Sequence, residues 1–344
     1  MDHLIISGPC SAETEQQVVS TAVKLASFKK IGLYRAGIWK PRTKPGMFEG
    51  VGTVGLKWLQ NAKRKSGLPF TVEVANAKHV EEALKHETDV VWIGARTTVN
   101  PFIVQEIADA LKGTNIPVLV KNPVNPDIEF WTGAIERFVK AGLLPGMVHR
   151  GFSSYRKTEY RNQPMWQIPI EMKRRFPEFS MICDPSHIAG KRNLIQKISQ
   201  TSLDLHFNGL MIETHPDPDN ALSDCEQQLK PDDLLSLLNS LIWRSEKNID
   251  TVPNNELEKL REQINQIDEE LLFLMGERMK IVDKIGLFKK ENNITILQVE
   301  RWNEILRRGL DVARSLKLSE EFIKQYFDAV HIESIEHQNK IMNE

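Results

Sequence analysis

From residue 3 onward, two hydrophobic patterns alternate along the first two thirds of the chain. Short β-rich apolar runs recur at 3–7, 33–36, 70–75, 90–95, 118–121, 146–150, 181–184 and 210–213. Between them lie segments with apolar residues at helical spacing, such as 13–28, 54–65, 77–86, 101–111 and 127–141. Runs of strand length separated by amphipathic helices predict parallel pairing, because a helical crossover returns the chain in the same direction. Eight such units within about 245 residues predict an α/β fold of the (β/α)8, or TIM barrel, kind. An open nucleotide-binding sheet is disfavoured, since no Gly-x-Gly-x-x-Gly follows the first run.

After residue 245 the pattern changes. A polar stretch, 246–255, reads as a linker. Leu257, Leu260, Ile264, Ile267, Leu271, Leu274, Arg278, Ile281, Ile285 and Phe288 then repeat at alternating three- and four-residue intervals. That spacing predicts one helix of about 35 residues with a partner-facing seam, capped at its start by Asn255 and Glu258. Two shorter helices are expected at 299–315 and 319–342, the second capped by Ser319. The predicted architecture is a barrel, 1–245, followed by an all-α three-helix domain, 256–344. So long an apolar seam cannot be covered by two short helices, so the second domain is expected to dimerise.

Composition changes this picture little. The 344 residues carry a net charge of −1, with 41% hydrophobic and 26% charged residues, which excludes a general affinity for nucleic acid or an anionic membrane. No apolar run approaches the length of a membrane span, and no signal peptide is visible ahead of the first strand. Three cysteines, Cys10, Cys183 and Cys225, suit a reducing compartment, with the cytoplasm as the expected location.

The chemistry gathers where predicted strands end, which in a barrel is the catalytic face. Cys10 ends the first, Arg35 and then Lys40-Pro41-Arg42-Thr43 the second, Glu73 the third, Arg96 the fourth, Lys121 the fifth and Arg150 the sixth. The seventh ends in Asp184-Pro185-Ser186-His187, and the eighth in Glu213-Thr214-His215, with Asp224 shortly after. Taken singly, an arginine after a strand is usually a solvated loop charge, a lone cysteine a small buried hydrophobe, and a lone histidine a satisfied hydrogen-bonding group. Coincidence at all eight ends is another matter. The cationic set Arg35, Lys40, Arg42, Arg96, Lys121 and Arg150 needs anions to neutralise it, which implies two phosphorylated substrates, or one phosphate with a carboxylate. Cys10, His187, Glu213 and Asp224 offer sulfur, nitrogen and oxygen donors from strands that become neighbours on closure. Such a set suits a first-row divalent ion (Mn, Fe, Zn or Co) better than Mg or Ca. A bound ion of that kind would polarise a carbonyl.

At these residues the sequence resembles the 3-deoxy-D-arabino-heptulosonate 7-phosphate (DAHP) synthases. The similarity is greatest to the short subfamily related to 3-deoxy-D-manno-octulosonate 8-phosphate synthase. Gly8-Pro9-Cys10-Ser11, Lys40-Pro41-Arg42-Thr43, Gly94-Ala95-Arg96, Asp184-Pro185-Ser186-His187 and Ser223-Asp224 carry the match. The resemblance implies condensation of phosphoenolpyruvate with erythrose 4-phosphate, the first step of the shikimate pathway. It implies Cys10, His187, Glu213 and Asp224 as metal ligands, and Arg96, Lys121 and Arg150 on phosphoenolpyruvate with Arg35 and Lys40 close by. Lys40 to Thr43 would hold the aldose, and Lys121 is a candidate proton donor. The sibling octulosonate synthases typically read Lys-Ala-Asn-Arg where this chain has Lys40-Pro41-Arg42-Thr43, which favours the four-carbon aldose. Lys121 is followed by Asn122-Pro123, where many relatives have Arg-Gly. The N-terminal regulatory extension of some relatives is expected to be missing. A metal- and phosphate-binding regulator is the non-enzymatic alternative.

The second region resembles the all-helical chorismate mutases, through the run from Leu260 to Leu271, Glu277-Arg278, Lys289, Arg301, Ser334 and Gln338. The resemblance implies that Arg261, Arg278 and Arg301 bind the two carboxylates of chorismate, with Ser334 in the site. Lys289 and Gln338 would donate to the ether oxygen as prephenate forms, and Arg261 would act across a dimer. Trp302 and Gln298 stand where the family commonly has acidic residues. Two expectations stand for this domain: a working mutase, or a module for dimerisation and feedback in which chorismate or prephenate restrains the barrel.

Overall fold

A computed structural model of the chain describes residues 3–41, 46–155, 158–244 and 255–343. Two compact units divide at Glu246 and Lys247. Arg42 and Thr43, most of the expected linker and the side chain of the expected cap Asn255 lie outside the described residues.

In the first unit the chain runs through β1 (Leu4–Gly8), α1 (Glu15–Ala26), β2 (Leu33–Arg35), α2 (Val54–Ser66), β3 (Phe70–Val74), α3 (Ala77–Lys85) and β4 (Val90–Ile93). It continues through the short α4 (Ala95–Thr98), α5 (Pro101–Leu111), β5 (Val118–Lys121), α6 (Ile128–Lys140), β6 (Pro145–His149) and α7 (Gln167–Arg175). The unit ends with β7 (Met181–Cys183), the short α8 (Pro185–Ala189), α9 (Ile195–Asp204), β8 (Gly209–Glu213) and α10 (Pro231–Ser240). Among the described residues, eight parallel strands close in sequence order, β8 pairing with β1 from Leu4↔Gly209 to Gly8↔Glu213. The expected (β/α)8 barrel is therefore present, with each strand within a residue or two of its predicted ends.

Strand parity sorts the side chains into two cores. Outward residues such as Val72, Val91, Ile93, Val118 and Val120 pack under the helices, together with Trp131 of α6, whose indole donates to Val120 O at 3.2 Å. Inward residues Ile6, Leu33, Trp92, Leu119, Val148, Ile182 and Met211 plug the barrel. This is what a period of two requires when both faces are buried. Helices start where side chains cap them: Thr14, Asn76, Asn100 and Asp127 accept hydrogen bonds from first-turn amides of α1, α3, α5 and α6. Gly8 leaves β1 with φ +146°, and a Cβ there would lie 2.1 Å from Arg35 O, so only glycine lets β1 pass that close to β2.

The second unit consists of α11 (Asn255–Glu291), α12 (Val299–Ser315) and α13 (Glu320–Asn343). The α13 helix packs against both of the others, and Ser319 caps it by accepting from Phe322 N at 3.2 Å. Along α11 the predicted seam is largely uncovered: Leu260, Ile264, Ile267, Leu271 and Leu274 are each more than half exposed. Among the described residues no helix is long and apolar enough to cross a membrane.

One buried group sets an acid limit on the barrel. His149, at the end of β6, is fully buried among Phe152, Trp166 and Phe207. Burial first, and then the Arg150 cation, push its pKa from 6.5 down to about 3. The folded state therefore holds it neutral while the unfolded chain protonates it. Its contribution is complete above pH 6.5 and is lost as pH falls toward 3, at up to about 1.4 kcal/mol per pH unit. Urea denaturation at pH 7 and pH 4.5 should show the stability of the wild type falling relative to His149→Leu as the pH drops. An unchanged difference would contradict this account.

Candidate active site

The C-terminal strand ends bring together residues far apart in sequence. The β1–β8 register sets Gly8 beside Glu213, and the chain just past each strand carries Cys10 and, after a loop, Asp224. Ligand atoms of Cys10, Glu213 and Asp224 lie within 4.8 Å of one another. Cys10 Sγ is 3.2 Å from Asp224 Oδ2. His187 stands beside this trio, Nε2 3.8 Å from Glu213 Oε1, without falling inside the same mutual radius. Burial, reinforced by the Glu213 carboxylate, pushes the Cys10 thiol up to about 12. Burial also lowers the His187 pKa, against the pull of Asp184 and Glu213.

The donor set fits a divalent ion. Among the described residues no hydrogen bond ends on the buried Glu213 Oε1, which has the Arg35 guanidinium 3.0 Å away. Metal–ligand bonds of about 2.0–2.3 Å place ligands roughly 3–4.5 Å apart, close to the spacing found here.

Asp184 organises the neighbouring wall, a role the sequence reading left unassigned. As N-cap of α8 it accepts from His187 N through Oδ1 (3.1 Å). Its Oδ2 lies 2.8 Å from His187 Nδ1 and accepts from Lys121 Nζ at 2.6 Å. Burial would raise this carboxyl, but His187 and the Lys121 ammonium outweigh it and hold it well below the usual carboxylate range. One carboxylate thus aims the histidine's far nitrogen at the trio and fixes the lysine. Its position three residues before His187 in a capping arrangement was the available signal.

The cations converge as expected for the described members. Arg35 is buried, with Nη2 3.0 Å from Glu213 Oε1 and its guanidinium 5.1 Å from the centre of the Trp92 ring. Lys121 Nζ lies 5.9 Å from the same ring, so Trp92 forms a floor beneath both. Trp92 was not singled out in the sequence, because an aromatic in a strand reads as core. Lys40 Nζ donates to Cys10 O and reaches Cys10 Sγ, each at 2.9 Å. Burial opposes the Lys40 and Arg35 charges, but Cys10 and Glu213 beside Lys40, and Glu213 and Asp184 beside Arg35, raise both pKa values. Arg150 is pulled down to about 10 by burial, with Arg161 and Arg96 acting against the attraction of Asp184, and stays cationic at neutral pH.

Asn122 is buried and donates to Gly151 O at 2.9 Å while accepting from Arg150 N at 2.7 Å. It therefore ties the β5 and β6 ends together and steadies Arg150. Pro41 is half-buried beside Lys40. Glu73 is partly buried under Gly94, where a Cβ would come within 2.0 Å of its Oε1, and Arg96 opens α4 just beyond.

In the helical unit, four of the six expected residues gather. Arg278 donates to Ser334 Oγ at 2.7 Å, and Gln338 on the next turn of α13 donates to Ser334 O at 3.1 Å. Lys289 is buried, donates to Ile296 O at 2.6 Å, and has its pKa lowered by that burial. Both Arg278 and Lys289 lie near enough to His331 to depress its pKa, after burial, and His331 stacks on Trp302 at 4.1 Å. Among the described residues the buried Gln338 Oε1 has no hydrogen-bond partner. For the other two, the structure gives an ion pair on the residue's own helix. Arg261 pairs with Glu258, and at 1.5 Å per residue lies about 25 Å along α11 from Arg278. Arg301 pairs with Glu304 on its own helix.

Comparison with known proteins agrees with both halves. The phospho-2-dehydro-3-deoxyheptonate aldolase of Thermotoga maritima is 30% identical over 226 residues, covering 65% of this chain and 64% of that protein. A crystal structure of the DAHP synthase from Thermotoga maritima superposes with a TM-score of 0.63 at 28% identity, covering 72% of this chain and 70% of that one. The bifunctional chorismate mutase/prephenate dehydratase of Buchnera aphidicola is 35% identical over 89 residues, which are 26% of this chain and 23% of that relative. This chain thus spans less than two thirds of either curated relative. Residues 260–339 match chorismate mutase type II. Residues 1–251 match the DAHP synthetase I family, and to that family, with a chorismate mutase type II segment C-terminal to its barrel, the chain belongs.

Proposed function

We propose that the barrel condenses phosphoenolpyruvate with erythrose 4-phosphate and water to DAHP and phosphate. The observation that carries this reading is the meeting, at one end of the barrel, of the Cys10–Glu213–Asp224 trio with the cations Arg35, Lys40, Lys121 and Arg150. Arg96, Lys121 and Arg150 hold phosphoenolpyruvate, with Arg35 beneath it. Lys40, Pro41, Arg42 and Thr43 hold the aldose. C3 of phosphoenolpyruvate bonds to the aldehyde carbon of the aldose, water adds at C2 of phosphoenolpyruvate, and the bond from C2 to the phosphate oxygen breaks. Lys121, held by Asp184, delivers the proton that the new hydroxyl gains. Cys10, Glu213 and Asp224, with His187 turned toward them, hold a divalent ion of the Mn, Fe, Zn or Co kind. That ion supplies Lewis acidity toward the aldehyde oxygen. Convergent fixed charges then act without reorganising, which is the main way a protein accelerates reactions of anionic substrates.

The helical unit we read as a chorismate mutase. Arg278, Lys289, Ser334 and Gln338 form a polar pocket in which, among the described residues, Gln338 Oε1 still lacks a hydrogen-bond partner. Binding fixes the reactive conformer and meets the charge that develops on the ether oxygen. A second copy of the chain covers the exposed α11 seam and brings Arg261 to the partner's pocket. Chorismate or prephenate bound there restrains the barrel.

Synthesis with erythrose 4-phosphate should exceed that with arabinose 5-phosphate in kcat/KM, and chelator should suppress it. Cys10→Ala and His187→Ala should each lose at least about 100-fold in synthesis while mutase activity survives, in line with the loss of a metal ligand. An equal or reversed aldose preference would move the barrel to the octulosonate reaction, and chelator-insensitive synthesis would remove the metal. Mixing inactive Arg261→Ala and Lys289→Ala protomers should restore part of the mutase activity once subunits exchange, whereas no recovery would place Arg261 outside the partner's site. Adding prephenate to the full chain should inhibit DAHP formation, and Arg278→Ala should relieve it. Equal rates with and without prephenate would discard the feedback reading.

A further inference from the structure

The carboxylates of Glu213 and Asp224 are each tied back by one oxygen and turn the other toward the site, where Arg35 pairs with Glu213 and the Cys10 thiol donates to Asp224. Glu213 Oε2 accepts a 2.6 Å hydrogen bond from Gln227 Nε2. Its Oε1 accepts no hydrogen bond from the described residues, and instead faces Arg35 Nη2 at 3.0 Å and His187 Nε2 at 3.8 Å. Asp224 Oδ1 accepts from Arg161 Nη1 at 3.0 Å, while Oδ2 faces Cys10 Sγ at 3.2 Å. The two anchors are themselves joined, since Arg161 Nη1 also donates to Gln227 Oε1 at 2.6 Å. A continuous chain Asp224–Arg161–Gln227–Glu213 thus runs behind the trio.

Each link demands its residue type. Gln227 must donate to one neighbour and accept from the other, which an amide does and neither a carboxylate nor an aliphatic side chain can. The opposite amide orientation would set oxygen against the Glu213 carboxylate and nitrogen against the guanidinium, so the network itself settles it. Gln227 is 1% exposed, leaving no water to substitute for its partners. Asp224 sits at φ 49°, ψ 41°, in the left-handed region that aspartate tolerates better than most residues.

We propose that Arg161 and Gln227 are positioning residues of the metal site: they restrain one oxygen of each carboxylate so that Glu213 Oε1 and Asp224 Oδ2 turn inward beside Cys10. The inference rests on the metal-dependent reading above. Partners of this kind fix a ligand's orientation before the ion arrives, and losing one typically weakens metal binding about 10–100-fold. Arg161 comes from the loop between β6 and α7, and Gln227 from the turn three residues past Asp224. Neither position carries a metal-binding signal in sequence.

The test uses the full-length protein and Co2+ as probe, with affinity measured by competition against a chromophoric chelator and coordination by the thiolate-to-Co2+ charge-transfer band. Gln227→Leu and Arg161→Leu should each bind Co2+ about 10–100-fold more weakly than wild type, with a shifted band. Arg161→Lys, which keeps a cation able to bridge both acceptors, should recover most of the affinity. Phosphoenolpyruvate binding to the metal-free protein should change less than Co2+ affinity does, because the hydrogen bonds lost from Arg161 and Gln227 are those to the metal-site carboxylates and to each other. Wild-type Co2+ affinity and band in both leucine variants, with losses only in melting temperature or in the aldose KM, would overturn the inference. Should Gln227→Leu fail to fold, the half-exposed Arg161 variants decide by the same readouts. Cys10→Ala separates the two levels. Tight binding by wild type, weak binding by Cys10→Ala and wild-type binding by the Arg161 and Gln227 variants would sink the positioning role alone. No difference between wild type and Cys10→Ala would remove the metal reading and this inference with it.

Discussion

Pairing between the first and last strands of the barrel is the contact on which the site depends. Its register, Gly8 opposite Glu213, joins chain segments about two hundred residues apart and turns Cys10, Glu213 and Asp224 into one cluster. Parallel strands make this possible because every strand then ends on the same face, so eight loops share one mouth. Gly8 is the narrow point of the arrangement, with Arg35 O where a side chain would begin. A slip of one residue would turn every inward group outward and dissolve the site along with the core.

The charges at that mouth show how burial and function are reconciled. Arg35 against Glu213 and Lys121 against Asp184 are buried pairs, and pairs of this kind repay little more than the cost of leaving water. Their value lies in orientation. Asp184 directs both a histidine and a lysine; Trp92 offers its face to two cations; Asn122 laces two strand ends together. With Arg96, Arg150 and Arg161 added, cations outnumber the carboxylates around them. The remaining positive potential is suited to anionic substrates.

The helical unit is governed by the opposite shortage, too little structure for its apolar surface. The α13 helix covers part of α11 and leaves the residues from Leu260 to Leu274 facing outward. Isolated in water, such a stripe is costly; against a second copy it becomes an interface. Arg278, Ser334, Lys289 and Gln338 meet where α11 and α13 do pack, which is why this part of the pocket exists within one chain.

Much of this was legible before any coordinates. The alternation of β-rich runs and helical periods determined the barrel, because period and run length are local properties set by which faces must be buried. The three- and four-residue spacing determined α11 in the same way, and motifs at strand ends pointed to the cationic mouth. Local pattern could not reveal partners chosen by closure. Asp184 was visible only as part of a motif, Trp92 as an ordinary core aromatic, and Arg161 and Gln227 not at all, since a hydrogen bond across 66 residues leaves no periodic trace. Sequence determined which elements form and which side chains reach the mouth. Tertiary structure alone decided which oxygen of each carboxylate is tied back and which turns toward Cys10 and Arg35, because that depends on distances between loops that no local rule relates.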